Sequence, residues 1–289
     1  MSEMNLEAGA IGRYAAVDVK QSVTMPRSQQ ITLFSRANNR EYRIFIAVPE
    51  SAPPAEGFPV IYLLDANSVF ATMVEAVRLQ SRAPDKTGAA AAVVVGIGYP
   101  ADSPFHPFRH YDYTRSIAHE ELPFKPPGGE WPEHGGAEAF MTFILEELKP
   151  LIGQKYSINT KRQTIFGHSL GGLFVLHMLY ARPEAFQYYI AGSPSIHWNK
   201  RILEEEERIF AAALRQSPQP VRLYIGVGEM EKSHHTGMVK LAEQLCERLL
   251  KLSLHGVHCE YKEFEGEGHI SVLPALISRA VRFALKAEP

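Results

Sequence analysis

The stretch Thr164-Ile165-Phe166-Gly167-His168-Ser169-Leu170-Gly171-Gly172 decides the fold of this chain. Three residues with strand preference lead into Gly-x-Ser-x-Gly, and a helical pattern with Leu173, Leu176 and Leu179 on its apolar face follows. In a sharp strand-to-helix turn, glycines two residues to either side keep side chains clear of a strained serine. Its hydroxyl is then exposed at a helix N-terminus, where backbone N–H groups and the dipole favour negative charge. The pattern predicts a nucleophile elbow with Ser169 as nucleophile, followed by an amphipathic helix.

Working outward, strand and helix patterns alternate. Gln30–Ser35 and Tyr42–Val48 read as a hairpin turning at Asn38-Asn39. Val60–Leu64 and Ala89–Ile97 are continuous apolar runs of the kind buried in parallel sheets. Thr164–Phe166, Tyr188–Ala191, Leu223–Val227 and Val257–Phe264 supply the remaining strands. Helical periodicity covers Ser68–Leu79, Ala137–Leu151, Leu170–Tyr180, Arg201–Arg215, Met238–Leu252 and Ile270–Leu285. This alternation predicts an α/β-hydrolase fold, a mostly parallel sheet with helices on both faces. The aperiodic segment 99–136, rich in proline, glycine and aromatics, is expected to be a loop or cap over the site. One domain over residues 1–289 is expected, with 1–28 as an arm or edge strand.

A neutral serine is a poor nucleophile and needs a base within hydrogen-bond reach. In this fold the partners follow in the order Ser, acid, His. His269, in Gly266-Glu267-Gly268-His269, stands directly after the last strand, where a side chain points toward the site. The acid is expected after the preceding strand, where Glu229-Met230-Glu231 offers Glu231 first and Glu229 as the alternative; a Ser–His dyad stays open. An oxyanion hole needs two N–H groups, for which Leu170 and Asn67 are the candidates, with Asp65 bracing the loop.

Bulk properties narrow the partners. A net charge of −2 gives no reason to expect nucleic acid. No segment approaches the roughly 20 apolar residues that span a bilayer, so no membrane is expected. His234-His235 and His255/His258 lack the carboxylate or thiolate company of a zinc site, and neither metal nor cofactor is expected. Cys246 and Cys259 suggest no disulfide framework, and Met1–Lys20 has no secretory core, which makes a cytoplasmic location the expectation.

The chain also resembles the esterase-D-type branch of the α/β hydrolases, and within it the enterobactin/salmochelin and bacillibactin siderophore esterases. The resemblance runs through Tyr62–Asn67, Gly98-Tyr99-Pro100, Arg109–Thr114, Gly135–Phe140, Glu147–Pro150, Gly167–Gly172, Ser193-Pro194-Ser195 with Trp198, and Gly268-His269. It implies hydrolysis of the lactone esters of a catecholate siderophore, a bulky anionic iron complex taken as a small-molecule ester substrate. Under that reading Arg109 offers a charged fork to the ligand, and Tyr111, Trp131 and Trp198 pack against catechol rings. A structural ion pair is the other reading of Arg109. The sequence departs from the family pattern at Ala66, where glycine is usual in the oxyanion loop, at His197, where tryptophan is common, and in using glutamate as the acid. A carboxylesterase or thioesterase for smaller acyl groups, an acyltransferase, and an inactive binding module are the competing functions.

Overall fold

The computed structural model describes residues 23–117 and 132–286. Eight strands form one sheet: β1 (Ser28–Ser35), β2 (Arg40–Ala47), β3 (Phe58–Leu63), β4 (Val93–Gly98), β5 (Ile158–His168), β6 (Tyr188–Gly192), β7 (Val221–Gly228) and β8 (Val257–Phe264). Their order is β1-β2-β4-β3-β5-β6-β7-β8. The β1–β2 and β2–β4 pairs are antiparallel, and every pair from β4 to β8 is parallel. The hairpin turns through Asn39 in the left-handed region, at φ 57°.

Between the strands lie α1 (Ala66–Gln80), α2 (Pro84–Thr87), α3 (Arg109–Tyr113), α4 (Ala137–Thr142) and α5 (Lys149–Lys155). They are followed by α6 (Leu170–Ala181), α7 (Lys200–Gln216), α8 (Met238–Leu250) and α9 (Val272–Leu285). One π-helical stretch, Phe143–Leu148, joins α4 to α5. α1 and α9 pack on one face of the sheet, and α4 to α8 cover the other. This is the α/β-hydrolase architecture. Its helices cover β3 and β4 on both faces, so every residue of those strands is buried, and each buried Val, Ile or Leu contributes about 1.5–3 kcal/mol. Strand β8 is an edge: Val257 and Cys259 are buried, while His258 and Glu260 are exposed.

Several boundaries differ from the sequence patterns. β5 starts six residues before the expected Thr164, because its first half is polar, only partly buried and carries no apolar signal. β4 starts at Val93, and Ala89 instead forms an isolated bridge with Lys286 beyond α9. α6 is not amphipathic: from Leu170 to Tyr180 it is buried on every side, sandwiched between the sheet and α7. The segment 99–136 contains helix α3 as well as loop, and α3 packs on α6; residues 118–131 and the expected arm over 1–22 lie outside the described residues.

Candidate active site

Ser169 occupies the turn between β5 and α6 with φ 60° and ψ −118°, a strained conformation for a residue with a Cβ. The strain is held from both sides. Ser169 N–H donates to Gly192 O at 2.8 Å, and its carbonyl accepts the Ser195 N–H at 3.1 Å. Gly167 is required here, since a Cβ on it would stand 2.2 Å from the Gly171 carbonyl oxygen.

Strands β7 and β8 deliver the other two groups to the same edge of the sheet. His269 Nε2 lies 3.0 Å from Ser169 Oγ, and its Nδ1 lies 2.8 Å from Glu231 Oε2. Glu231 is only 4% exposed, and its second oxygen accepts the Ser193 hydroxyl at 2.6 Å and the Gly228 N–H at 2.7 Å. Burial works to raise its pKa, but the hydrogen bonds from His269, Ser193 and Gly228 outweigh burial and hold the carboxyl below its usual range. Glu229 serves elsewhere, accepting the Gly266 N–H at 3.0 Å and so tying the histidine loop to β7. The same two loops meet where Met230 N–H donates to Glu267 O, and a Cβ on Gly228 would stand 2.4 Å from that oxygen.

Two helix N-termini lie where the sequence places a candidate oxyanion hole. Leu170 heads α6, and Ala66 and Asn67 head α1; the N–H groups of all three find no backbone acceptor among the described residues. Asp65, at φ 51°, makes the turn into α1, so the left-handed residue is not Ala66, and the alanine sits without strain where glycine is usual. The Asn67 side chain bonds Tyr99 N at 2.8 Å and the carbonyls of Tyr99 and Ala101, which anchors α1 to the loop after β4.

Arg109 is 9% exposed and points inward rather than standing free in the cleft. Its Nε and Nη2 each donate to an Asp65 carboxylate oxygen at 2.9 Å, and Nη2 also reaches His168 O at 3.3 Å. Burial opposes the guanidinium charge, but Asp65 more than compensates and raises its pKa. The ion pair therefore ties the oxyanion loop to the elbow. Tyr111 lies under the Arg40 guanidinium at 4.4 Å, and Trp198 is buried with its ring 5.9 Å from that of His110. Trp131 lies outside the described residues.

Two residues escaped the sequence reading. Ser193 positions Glu231, and Ser195, 5% exposed, brings its hydroxyl to 3.2 Å from Ser169 Oγ. Ser-Pro-Ser was visible as a motif, but nothing local says that it faces two catalytic candidates at once. His197 lies beside them, its buried Nδ1 without a hydrogen-bond partner among the described residues and its ring 6.4 Å from His234. Burial, then the neighbouring His234 and His235, lowers its pKa to about 4, so it stays neutral near pH 7. Burial likewise pushes His168, whose ring is 4.6 Å from that of His269, down to about 3. A cavity of about 370 Å³ opens beside the relay, lined by Ser233, His234, His235 and His269. Among the described residues no three His, Cys, Asp or Glu are arranged to hold a metal ion, and no helix is long and apolar enough to cross a membrane.

The chain is similar to known proteins over most of its length. The profile of a family described as putative esterase matches residues 35–272. The chain is 55% identical over 265 residues to the ferri-bacillibactin esterase BesA of Bacillus subtilis (strain 168), covering 92% of each. It is 40% identical over 247 residues to a siderophore enterobactin esterase of Emericella nidulans, covering 77% of this chain and 80% of the other. Among solved structures it resembles the BES protein of Bacillus cereus, with a TM-score of 0.87 and 40% identity, over 93% of this chain and all of that one.

Proposed function

The chain belongs to the putative esterase family, and from that premise we propose that it opens the lactone esters of a ferric catecholate siderophore, with Ser169, His269 and Glu231 as its catalytic relay. It is a serine ester hydrolase. The single observation that carries the site assignment is the unbroken hydrogen-bonded line from Ser169 Oγ through both nitrogens of His269 to the buried Glu231.

The chemistry runs as follows. Ser169 Oγ attacks the ester carbonyl while its proton passes to His269 Nε2. Nδ1–H donates to Glu231, which fixes the imidazole tautomer and stabilises the imidazolium. The carbonyl oxygen gains negative charge and is met by the N–H groups of Leu170 and Asn67. His269 then protonates the departing alkoxide, leaving an acyl group on Ser169. Water, deprotonated by the same imidazole, releases the acid and restores the serine.

The siderophore as substrate is supported by the 55% identity to a protein named for ferri-bacillibactin hydrolysis. Iron enters as part of the substrate, not as a group held by the protein. Recognition of its rings is proposed for Trp198, Tyr111 and Trp131. The two buried, unbridged thiols Cys246 and Cys259 fit a reducing compartment such as the cytoplasm.

The test compares kcat/KM on ferric bacillibactin, ferric enterobactin and p-nitrophenyl butyrate, for the natural protein and for Ser169→Ala. A clear preference for a ferric siderophore, lost with the serine, is expected. A preference for the small ester would overturn the substrate, and an active Ser169→Ala variant would overturn the relay.

A further inference from the structure

One cavity lies away from the relay. It measures about 640 Å³ and is bounded by the outer face of β7 and β8 on one side and by α9 on the other. Tyr188 opens β6, Arg222 and Tyr224 lie early in β7, and His258 is the second residue of β8. The groove therefore starts at the N-terminal ends of these strands and runs along β8 to Lys262, whereas Ser169, Glu231 and His269 follow the C-terminal ends of theirs. It exists because β8 is an edge strand that α9 covers only in part, leaving His258, Glu260 and Lys262 exposed.

Its composition differs from that of the molecule as a whole. A chain of net charge −2 lines this one groove with the fixed cations Arg222, Lys262, Arg279, Arg282 and Lys286, against the single carboxylate of Glu260. Glu260 is itself engaged by His258 Nε2 at 2.9 Å. Among the described residues no carboxylate pairs with Lys262, Arg279, Arg282 or Lys286. Four like charges facing one concavity repel one another, and a structural role would have paired them. The floor is aromatic. Phe283 is the centre of a cluster, with its ring centroid 5.7 Å from Tyr188, 5.3 Å from Tyr224 and 6.4 Å from the nearly parallel His258 ring.

We propose that this groove is a second, non-catalytic binding site for a compact polyanion that carries an aromatic ring. The ring rests on the Phe283 cluster, and the anionic oxygens meet Arg279 and Arg282 on α9 and Lys262 and Lys286 at the two ends. The volume lies within the range of small-molecule sites, and the aromatic floor favours a ring over a bare inorganic anion. Two sources share that chemistry: a nucleoside polyphosphate, and a ferric tris-catecholate complex.

Calorimetric titration of the intact protein at low salt, with ATP, with ferric tris-catecholate and with inorganic phosphate, tests the assignment. At least one of the two aromatic anions is expected to bind saturably and more tightly than phosphate. Arg279→Ala with Arg282→Ala is expected to weaken that binding by roughly tenfold or more, as loss of charge-assisted contacts does, and to leave p-nitrophenyl butyrate hydrolysis unchanged. If that variant melts early, Lys262→Ala with Lys286→Ala, both at exposed positions, makes the same measurement. Binding of ATP alone that the groove variant weakens identifies a nucleotide as the source, and binding of the ferric complex alone that the variant weakens identifies the catecholate; either supports the site, whereas ferric binding that the variant leaves intact belongs to the relay. Phosphate binding as tightly as both aromatic anions, affinities untouched in both variants, or no saturable binding would each overturn it.

Discussion

The hydroxyl of Ser195 lies 3.2 Å from that of Ser169, so the proposed nucleophile stands between two partners, with His269 Nε2 at 3.0 Å on its other side. With the Ser169 proton directed at the imidazole, the remaining donor to its oxygen is the Ser195 hydroxyl. That contact holds the rotamer from which Oγ attacks. Ser195→Ala should lower kcat/KM about fivefold, the worth of one neutral hydrogen bond of about 1 kcal/mol. The rate of covalent labelling by an organophosphate should fall in parallel. An unchanged labelling rate would mean that the hydroxyl is idle.

Glu231 and Glu229 are separated by one residue in sequence but differ in role: Glu231 meets the His269 imidazole, and Glu229 accepts from the Gly266 N–H. Glu231→Gln places an amide N–H against His269 Nδ1–H and favours the wrong tautomer, so kcat should fall by roughly three to four decades. Glu229→Gln removes only a brace on Gly266 and should be mild. Steady-state kinetics of both variants on one small ester decides between them; equal, mild effects would reduce the relay to a dyad.

Arg109→Ala strands the Asp65 carboxylate, which is 4% exposed, without its cation. Breaking a buried pair from one side costs about 3–5 kcal/mol, so the melting temperature should drop by many degrees. Because Asp65 turns the chain into the oxyanion helix, ferric siderophores and p-nitrophenyl esters should suffer alike. Arg109→Lys cannot reproduce the two parallel bonds and should recover only part of the loss. Selective loss of siderophore turnover at constant melting temperature would return Arg109 to ligand recognition.

Asp112 is fully buried and accepts hydrogen bonds from Tyr42 and Tyr99, both at 2.9 Å. Burial raises its pKa to about 6, above the ordinary carboxylate value, against the lowering effect of those bonds. Between about pH 4 and pH 6 the folded chain therefore binds a proton that the unfolded chain has released. Its contribution is full below that window and is lost as pH rises through it, by on the order of 2–3 kcal/mol. Asp112→Asn should abolish this slope in melting temperature against pH. An identical slope in the variant would show that Asp112 does not titrate there.

The sequence alone determined those features whose cause lies within a few residues. The elbow is legible because only a glycine frame relieves the Ser169 backbone, and β3 and β4 are legible because strands covered on both faces must be apolar throughout. His269 is legible by its place after the last strand. Even locally the signal has limits, as the polar half of β5 was invisible; α6, apolar all round from Leu170 to Ala181, carries its burial on every side in its own composition. What only the tertiary structure decided are contacts across long separations. His269 and Ser169 are 100 residues apart, Glu231 and His269 are 38 apart, and Arg109 and Asp65 are 44 apart. Strand register sets which glutamate meets the imidazole, and it turns Ser193 and Ser195 toward two different members of the relay. The inward turn of Arg109 has the same origin, because its partner is chosen by the packing of α3 on α6. The cationic groove is the extreme case, since its residues come from three strands and a helix and share a surface only because β8 is left as an edge.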